Sequence, residues 1–176
     1  KVIMLDPNTG EWTQVANMIH RITALRLREL DGKLYAIGGD TRVSRLNTLQ
    51  QYNPDLNQWI SLPPMSYTRE SPIAFTYQGL LYVAGGIPHY ARGLILDDIE
   101  YFDPKSNTWT NAGKLPKGVY GAGSTVAINY IFYAGGRNSF IVNAYTGQIF
   151  LRHGWSPDGV SSNYLKSIFE THISLN

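Results

Sequence analysis

Polar and apolar positions in this chain alternate in short bursts, and three of the apolar bursts end alike. Residues 34–39 read LYAIGG, residues 81–86 LYVAGG and residues 131–136 IFYAGG, at intervals of 47 and 50. A near-continuous apolar run of this length, bounded by turn residues, predicts a strand buried on both faces. Each run follows a second strand-like segment: ALRLREL at 24–30, SPIAFTY at 71–77 and GAGSTVAI at 121–128. Asp31-Gly32 and Gln78-Gly79 separate the two segments in the first and second copies. Asp-Gly between apolar runs predicts a two-residue hairpin, because a type I′ turn needs positive φ at both central positions. Beyond the first two glycine pairs a longer loop leads to a third strand, LQQY or DIEYF. An Asn-Pro or Asp-Pro turn then gives a fourth strand, centred on a tryptophan.

Other landmarks share this register. Asp6-Pro7, Asn53-Pro54 and Asp103-Pro104 precede Trp12, Trp59 and Trp109 by the same distance. Met18, Met65 and Leu115 each stand 20 residues before the first glycine of a pair. A period of 40–50 residues predicts stacked supersecondary units. Four antiparallel strands per unit, too few to hide both sheet faces, describe a propeller blade. Glycine pair, tyrosine and Asp-Pro-x-x-x-x-Trp together resemble the kelch repeat, over roughly residues 1–136.

The expected fold is therefore all-β: a partial kelch-type propeller of about three to four blades, not a closed ring. The end of a first blade is expected at 1–15, full blades at 16–61 and 62–111, and a degenerate blade at 112–155. The tail, 156–176, matches nothing upstream; Tyr164, Leu165, Ile168 and Phe169 there form one apolar helical face, or the terminus frays. The third unit lacks an Asp/Asn-Pro after Gly136, although Trp155 follows the glycine pair by 20 residues and Thr146-Gly147 offers a hairpin turn. So few blades leave large apolar side chains uncovered, at about 1.5–3 kcal/mol each. A piece of a longer chain is the expectation.

The repeated residues read as architecture. Gly38, Gly39, Gly85, Gly86, Gly135 and Gly136 let neighbouring chain approach and let the strand exit at a sharp angle. A phosphate-cradling loop would need G-x-G-x-x-G before a helix, and no helical pattern follows. Trp12, Trp59 and Trp109 are expected to pack between blades, and Pro7, Pro54 and Pro104 to sit in turns.

Composition narrows function. Hydrophobic content of 43% and charged content of 16% suit a globular chain, and a net charge of +2 does not imply a nucleic-acid or membrane partner. There is no cysteine, which excludes disulfides, thiolate metal sites and thiol catalysis, including the tyrosine–cysteine cofactor of kelch-like copper oxidases. No apolar run approaches the roughly 18 residues of a membrane span. His20, His89, His153 and His172 are scattered, without metal-ligand spacing, and no nucleophile or paired-carboxylate motif stands out. Asp97-Asp98 reads as a turn cap. No enzyme, metal or cofactor is expected.

Charge separates by face. The loops joining strand 4 to 1 and strand 2 to 3 leave a blade on one side and carry Arg21, Arg42, Arg45, Arg69, Arg92, Lys114, Lys117 and Arg137. Asp40 and Glu70 are the clear acids expected there. The opposite side carries Asp6, Glu11, Asp31, Asp55 and Asp103 against Lys33 and Lys105. Tyr67, His89, Tyr90 and Tyr120 join the basic side, and aromatic residues with arginine are enriched at binding hot spots. Two readings stand: a surface for an acidic peptide or protein, or polar loops kept soluble by arginine. Arg26 and Arg28 break the pattern, because the sister strands carry Ile73 and Phe75, or Gly123 and Thr125. They reach solvent in the channel, pair with a carboxylate, or lie at a free edge.

Residues 65–109, with M-x-x-x-R, GLLYVAGG and YFDP-x-x-x-x-W, resemble the repeats of BTB-kelch proteins. That resemblance implies a cytoplasmic module that holds a protein substrate through its loops while a BTB domain, absent here, engages a cullin-RING ubiquitin ligase. It leaves two alternatives: an actin-binding scaffold and a sugar-processing propeller enzyme.

Overall fold

The computed structural model describes residues 1–89, 94–115, 117–127, 130–136, 140–143 and 149–151. Every regular element among them is a strand. β1 (Val2–Leu5) and β2 (Trp12–Val15) form a two-stranded sheet. β3 (Arg26–Leu30), β4 (Lys33–Ile37), β5 (Leu49–Asn53) and β6 (Gln58–Leu62) form a four-stranded antiparallel sheet in chain order. β7 (Ile73–Tyr77), β8 (Leu80–Ala84), β9 (Asp98–Asp103) and β10 (Thr108–Lys114) repeat it, with a bulge between Asn111 and Gly113 that carries β10 past residue 111. β11 (Gly123–Ala127), β12 (Tyr130–Ala134), β13 (Phe140–Asn143) and β14 (Ile149–Leu151) make the third, despite its weaker repeat pattern. These are the blades of a partial propeller: the first strands β3, β7 and β11 lie side by side along its inner channel. The Thr146-Gly147 turn, Trp155 and the tail beyond 151 lie outside the described residues.

The core lies between blades rather than within them. Tyr35, Ile37 and Leu49 of one blade pack with Ala74, Leu81, Val83 and Phe102 of the next, with Met65 between. Phe75, Tyr82 and Ile99 then meet Ile131 and Tyr133 of the third. Trp59 is buried against Val2, Val15 and Ala16 of the first sheet, and its indole N–H donates to Ala16 O at 3.0 Å. Trp109 does the same one blade on, donating to Pro63 O at 2.8 Å. Trp12 departs from the expectation that all three are core residues: it is 64% exposed. Each tryptophan packs onto the blade before its own, and these residues include no blade before β1.

The turns follow the local chemistry of the sequence. Asp31 and Gly32, like Gln78 and Gly79, have positive φ, as a type I′ hairpin requires. The side-chain oxygens of Asp6, Asn53 and Asp103 accept from the backbone N–H two residues on, at 2.8, 2.9 and 2.8 Å. The proline between them presets φ for the same turn.

The glycine pairs dock one blade to the next. Gly38 and Gly85 have φ of 58° and 65°, and a Cβ there would meet Arg69 O at 2.5 Å or Val119 O at 2.1 Å. Those two carbonyls belong to the following blade and accept from Gly39 N at 2.8 Å and Gly86 N at 2.7 Å. Both the left-handed backbone and the close approach require glycine.

Candidate functional site

The 4→1 and 2→3 loops meet on one side of the blades, as antiparallel strand order dictates. Thr23 bridges Asp40, Asp40 bridges Arg45, and Glu70 bridges Ile87. The loop after β4 is held from within: Thr41 N and Oγ1 both donate to Ser44 O at 3.0 Å, and Arg42 N donates to Asp40 Oδ1. It is also tied to the next blade. Arg45 Nε pairs with Glu70 Oε2 at 2.5 Å, Arg45 Nη1 donates to Pro88 O at 2.9 Å, and Arg45 N donates to His89 Nδ1 at 3.3 Å. His89 N in turn donates to Thr68 Oγ1 at 2.9 Å. Arg45 and His89 therefore join loops to one another, both half-buried.

Arg69 corrects the sequence reading most sharply, because its side chain is 0% exposed. Its Nη2 and Nε lie 2.9 and 3.2 Å from Glu100 Oε1, and Nη1 donates to Gly85 O at 2.6 Å. Tyr67, which is exposed, holds its ring 5.8 Å from the Arg69 guanidinium carbon. A buried charge needs such a partner. The repeat register carried the signal: Ile22 and Val119 occupy the same position in the sister blades, and both are apolar.

The charge separation is also smaller than the loops suggest. Asp97 and Asp98, at the head of β9, belong to this face, and Lys114 Nζ lies 3.1 and 3.7 Å from them. The hydrogen bond to Asp97 and the charge of Asp98 raise the Lys114 pKa. Among the described residues Arg21 and Arg42 are exposed and pair with no carboxylate, and Lys117 is exposed on the loop before the third blade. Tyr120 is half-buried on the third blade's 4→1 loop. Tyr90, Arg92 and Arg137 lie outside the described residues.

The sequence reading missed the apolar part of this face. Val43, at the tip of the braced loop beside Arg42, is 88% exposed, and Ile19 and Leu94 are exposed on neighbouring loops. An apolar residue at a loop tip next to turn-forming Asp40 and Ser44 was the available clue.

Arg26 and Arg28 resolve differently from a free edge or an ion pair. Both point from β3 across the inner channel. Arg26 Nη2 donates to Ala122 O at 3.0 Å, and Arg28 Nε donates to Ala74 O at 2.6 Å. Arg28 Nη2 reaches Ser124 O and Oγ at 3.2 and 2.8 Å, so this side chain spans all three inner strands.

The chain matches the Kelch motif family at residues 28–66 and 74–116. Kelch-like protein 23 from Pongo abelii is 32% identical over 129 residues, 73% of this chain and 22% of the relative. Human kelch-like protein 23 is 30% identical over the same shares of each chain. Human kelch-like protein 33 is 33% identical over 57% of this chain and 18% of its own length. The chain thus spans about a fifth of the length of the curated relatives it matches. A solved structure of YjhT superposes with a TM-score of 0.72 at 18% identity, covering 84% of this chain and 56% of that one.

Proposed function

The chain belongs to the kelch-repeat family, of the kelch-like type, and on that premise we propose that its loop face docks an acidic segment of a partner protein. The observation that carries this reading is the braced loop at 40–46, which holds Arg42 and the 88% exposed Val43 at its tip. A tip fixed before binding loses little conformational freedom on docking. Arg42 and Arg21 supply forked donors for carboxylates, and Val43, Ile19, Tyr67 and Leu94 supply the apolar contacts that exclude water around them. The partner segment would alternate acidic and apolar residues. In the intact polypeptide this segment would be the substrate of a BTB-kelch adaptor that recruits a cullin-RING ubiquitin ligase, a reading supported by kinship with kelch-like proteins.

The test compares two charge reversals in the intact protein. Arg21→Glu with Arg42→Glu should abolish capture of the protein's partners, while Lys33→Glu with Lys105→Glu on the opposite side should leave it intact. Equal capture by both variants sinks the loop-face reading. Co-precipitation of a cullin by both variants supports the adaptor reading, and its absence from both removes it.

A further inference from the structure

The inner channel holds a charge that the blade architecture does not ask for. Arg26 and Arg28 are alternate residues of β3 and so share one of its faces. The residues in register on β7 are Ile73 and Phe75, and on β11 Gly123 and Thr125. Three sheets of the same kind thus form with and without a cation at these positions.

Every described partner of the two guanidinium groups is an uncharged oxygen. Arg26 donates to Leu25 O and Ala122 O at 3.3 and 3.0 Å. Arg28 donates to Leu27 O and Ala74 O, both at 2.6 Å, and to the backbone and side chain of Ser124. Carbonyl oxygens fix the direction of a guanidinium without cancelling its charge. Among the described residues no carboxylate pairs with either arginine. Burial lowers the pKa of both, and the charge of Arg26 lowers that of Arg28 further. Two like charges held this way raise each other's energy until an anion joins them.

Space and donors for that anion are present. Arg28 lines an open cavity of about 390 Å³, together with Phe75, Thr76, Ser124, Thr125 and Val126. Thr76 and Thr125 carry hydroxyls, which donate to oxygen as readily as they accept, whereas the Ser124 hydroxyl already donates to Ala74 O at 2.6 Å. Arg26 engages only its terminal nitrogens among the described residues, which leaves its Nε–H for a ligand.

We propose that Arg26 and Arg28, with the hydroxyls of Thr76 and Thr125, form a binding site in the propeller channel for a small polyvalent oxyanion. Phosphate-bearing and multiply carboxylated metabolites share that chemistry, since a guanidinium fork matches either group. The loop face takes no part, so the site stands or falls apart from the partner-docking reading.

The experiment is a thermal melt of the intact protein in rising inorganic phosphate or citrate, with ionic strength held constant by chloride. Wild type should melt higher as the anion rises, because a ligand of the native state stabilises it by mass action. Arg26→Gln should flatten that response, with apparent affinity about tenfold weaker for one lost charge-assisted contact. Arg42→Gln, on the exposed loop, should respond as wild type does. Arg28 ties three strands together, so Arg28→Gln risks the fold; Arg28→Lys keeps the charge without the fork and should weaken the response less than Arg26→Gln. Calorimetric titration of phosphate at 25 °C provides a readout that does not depend on melting. A wild type that ignores both anions overturns the site. So does an equal response from Arg26→Gln, which would mark general salting-out.

Discussion

Gln50 occupies in its blade the place that Glu100 occupies in the next, and only Glu100 has an arginine to meet. Each accepts one backbone N–H from the loop before its blade: Ile19 N donates to Gln50 Oε1 at 2.9 Å, and Ser66 N to Glu100 Oε2 at 3.1 Å. The second oxygen of Glu100 takes Arg69. At Gln50 the corresponding Nε2 is buried with no hydrogen-bond partner, and the register position of Arg69 is filled by Ile22. One blade thus keeps a buried ion pair where its neighbour has an isoleucine and an amide.

Removing one member of the buried pair should cost far more than removing an exposed charge. Arg69→Met strands the Glu100 carboxylate and is expected to destabilise by about 3–5 kcal/mol, against less than about 1 kcal/mol for Arg42→Met. Urea denaturation followed by tryptophan fluorescence measures both. A cost for Arg69→Met below that of Arg42→Met would contradict the burial.

The same pair can be transplanted. Gln50→Glu and Ile22→Arg should each destabilise alone, by burying a charge without its counter-ion. Together they should recover part of the loss, with a favourable coupling of at least about 1 kcal/mol in a double-mutant cycle. Additive losses would show that the register does not bring the two positions together.

Two glycine substitutions separate backbone strain from collision. Gly79→Ala meets open space and has only its positive φ of 76° to bear, at about 1–2 kcal/mol. Gly85→Ala adds a Cβ 2.1 Å from Val119 O and must also push the next blade away. Its loss should exceed that of Gly79→Ala by more than about 1 kcal/mol, read from denaturation midpoints.

Tryptophan replacements should divide the same way. Trp59→Phe gives up the bond to Ala16 O and a buried contact, at about 1–3 kcal/mol. In residues 1–176 the exposed Trp12→Phe should stay within about 0.5 kcal/mol of wild type. Equal losses would place Trp12 in a core.

Alkaline stability should report on Tyr82. Its pKa is pushed from the usual 10.0 up to about 12, by burial first and then by the charges of Tyr101 and Tyr77. The native state therefore holds this proton more tightly than the unfolded chain does. Its contribution is complete below about pH 10 and is lost as the pH climbs towards about 12. Tyr82→Phe should make stability fall less steeply across that window, measured as unfolding free energy against pH.

Strands, hairpins and blade order were legible because their causes are local and repeat. Asp31-Gly32 carries its own turn, and Trp59 and Trp109 each follow a proline by five residues. The loop face was less legible, because exposure there depends on partners distant in the chain. Arg69 meets Glu100 across 31 residues, and Arg45 meets Glu70 across 25. Sequence places such an arginine on a loop and says nothing of the carboxylate that removes it from the surface. Arg28 shows the limit most clearly, since Ser124, 96 residues away, decides where it points.

The indole bonds from Trp59 to Ala16 and from Trp109 to Pro63 both run backwards along the chain. A contact with a direction gives the assembly a front and a back, as in a row of roof tiles where each course is pinned to the one beneath. Pinned this way, blades cannot be shuffled face to face as equals. A blade turned front to front with its neighbour would leave that indole N–H without its carbonyl.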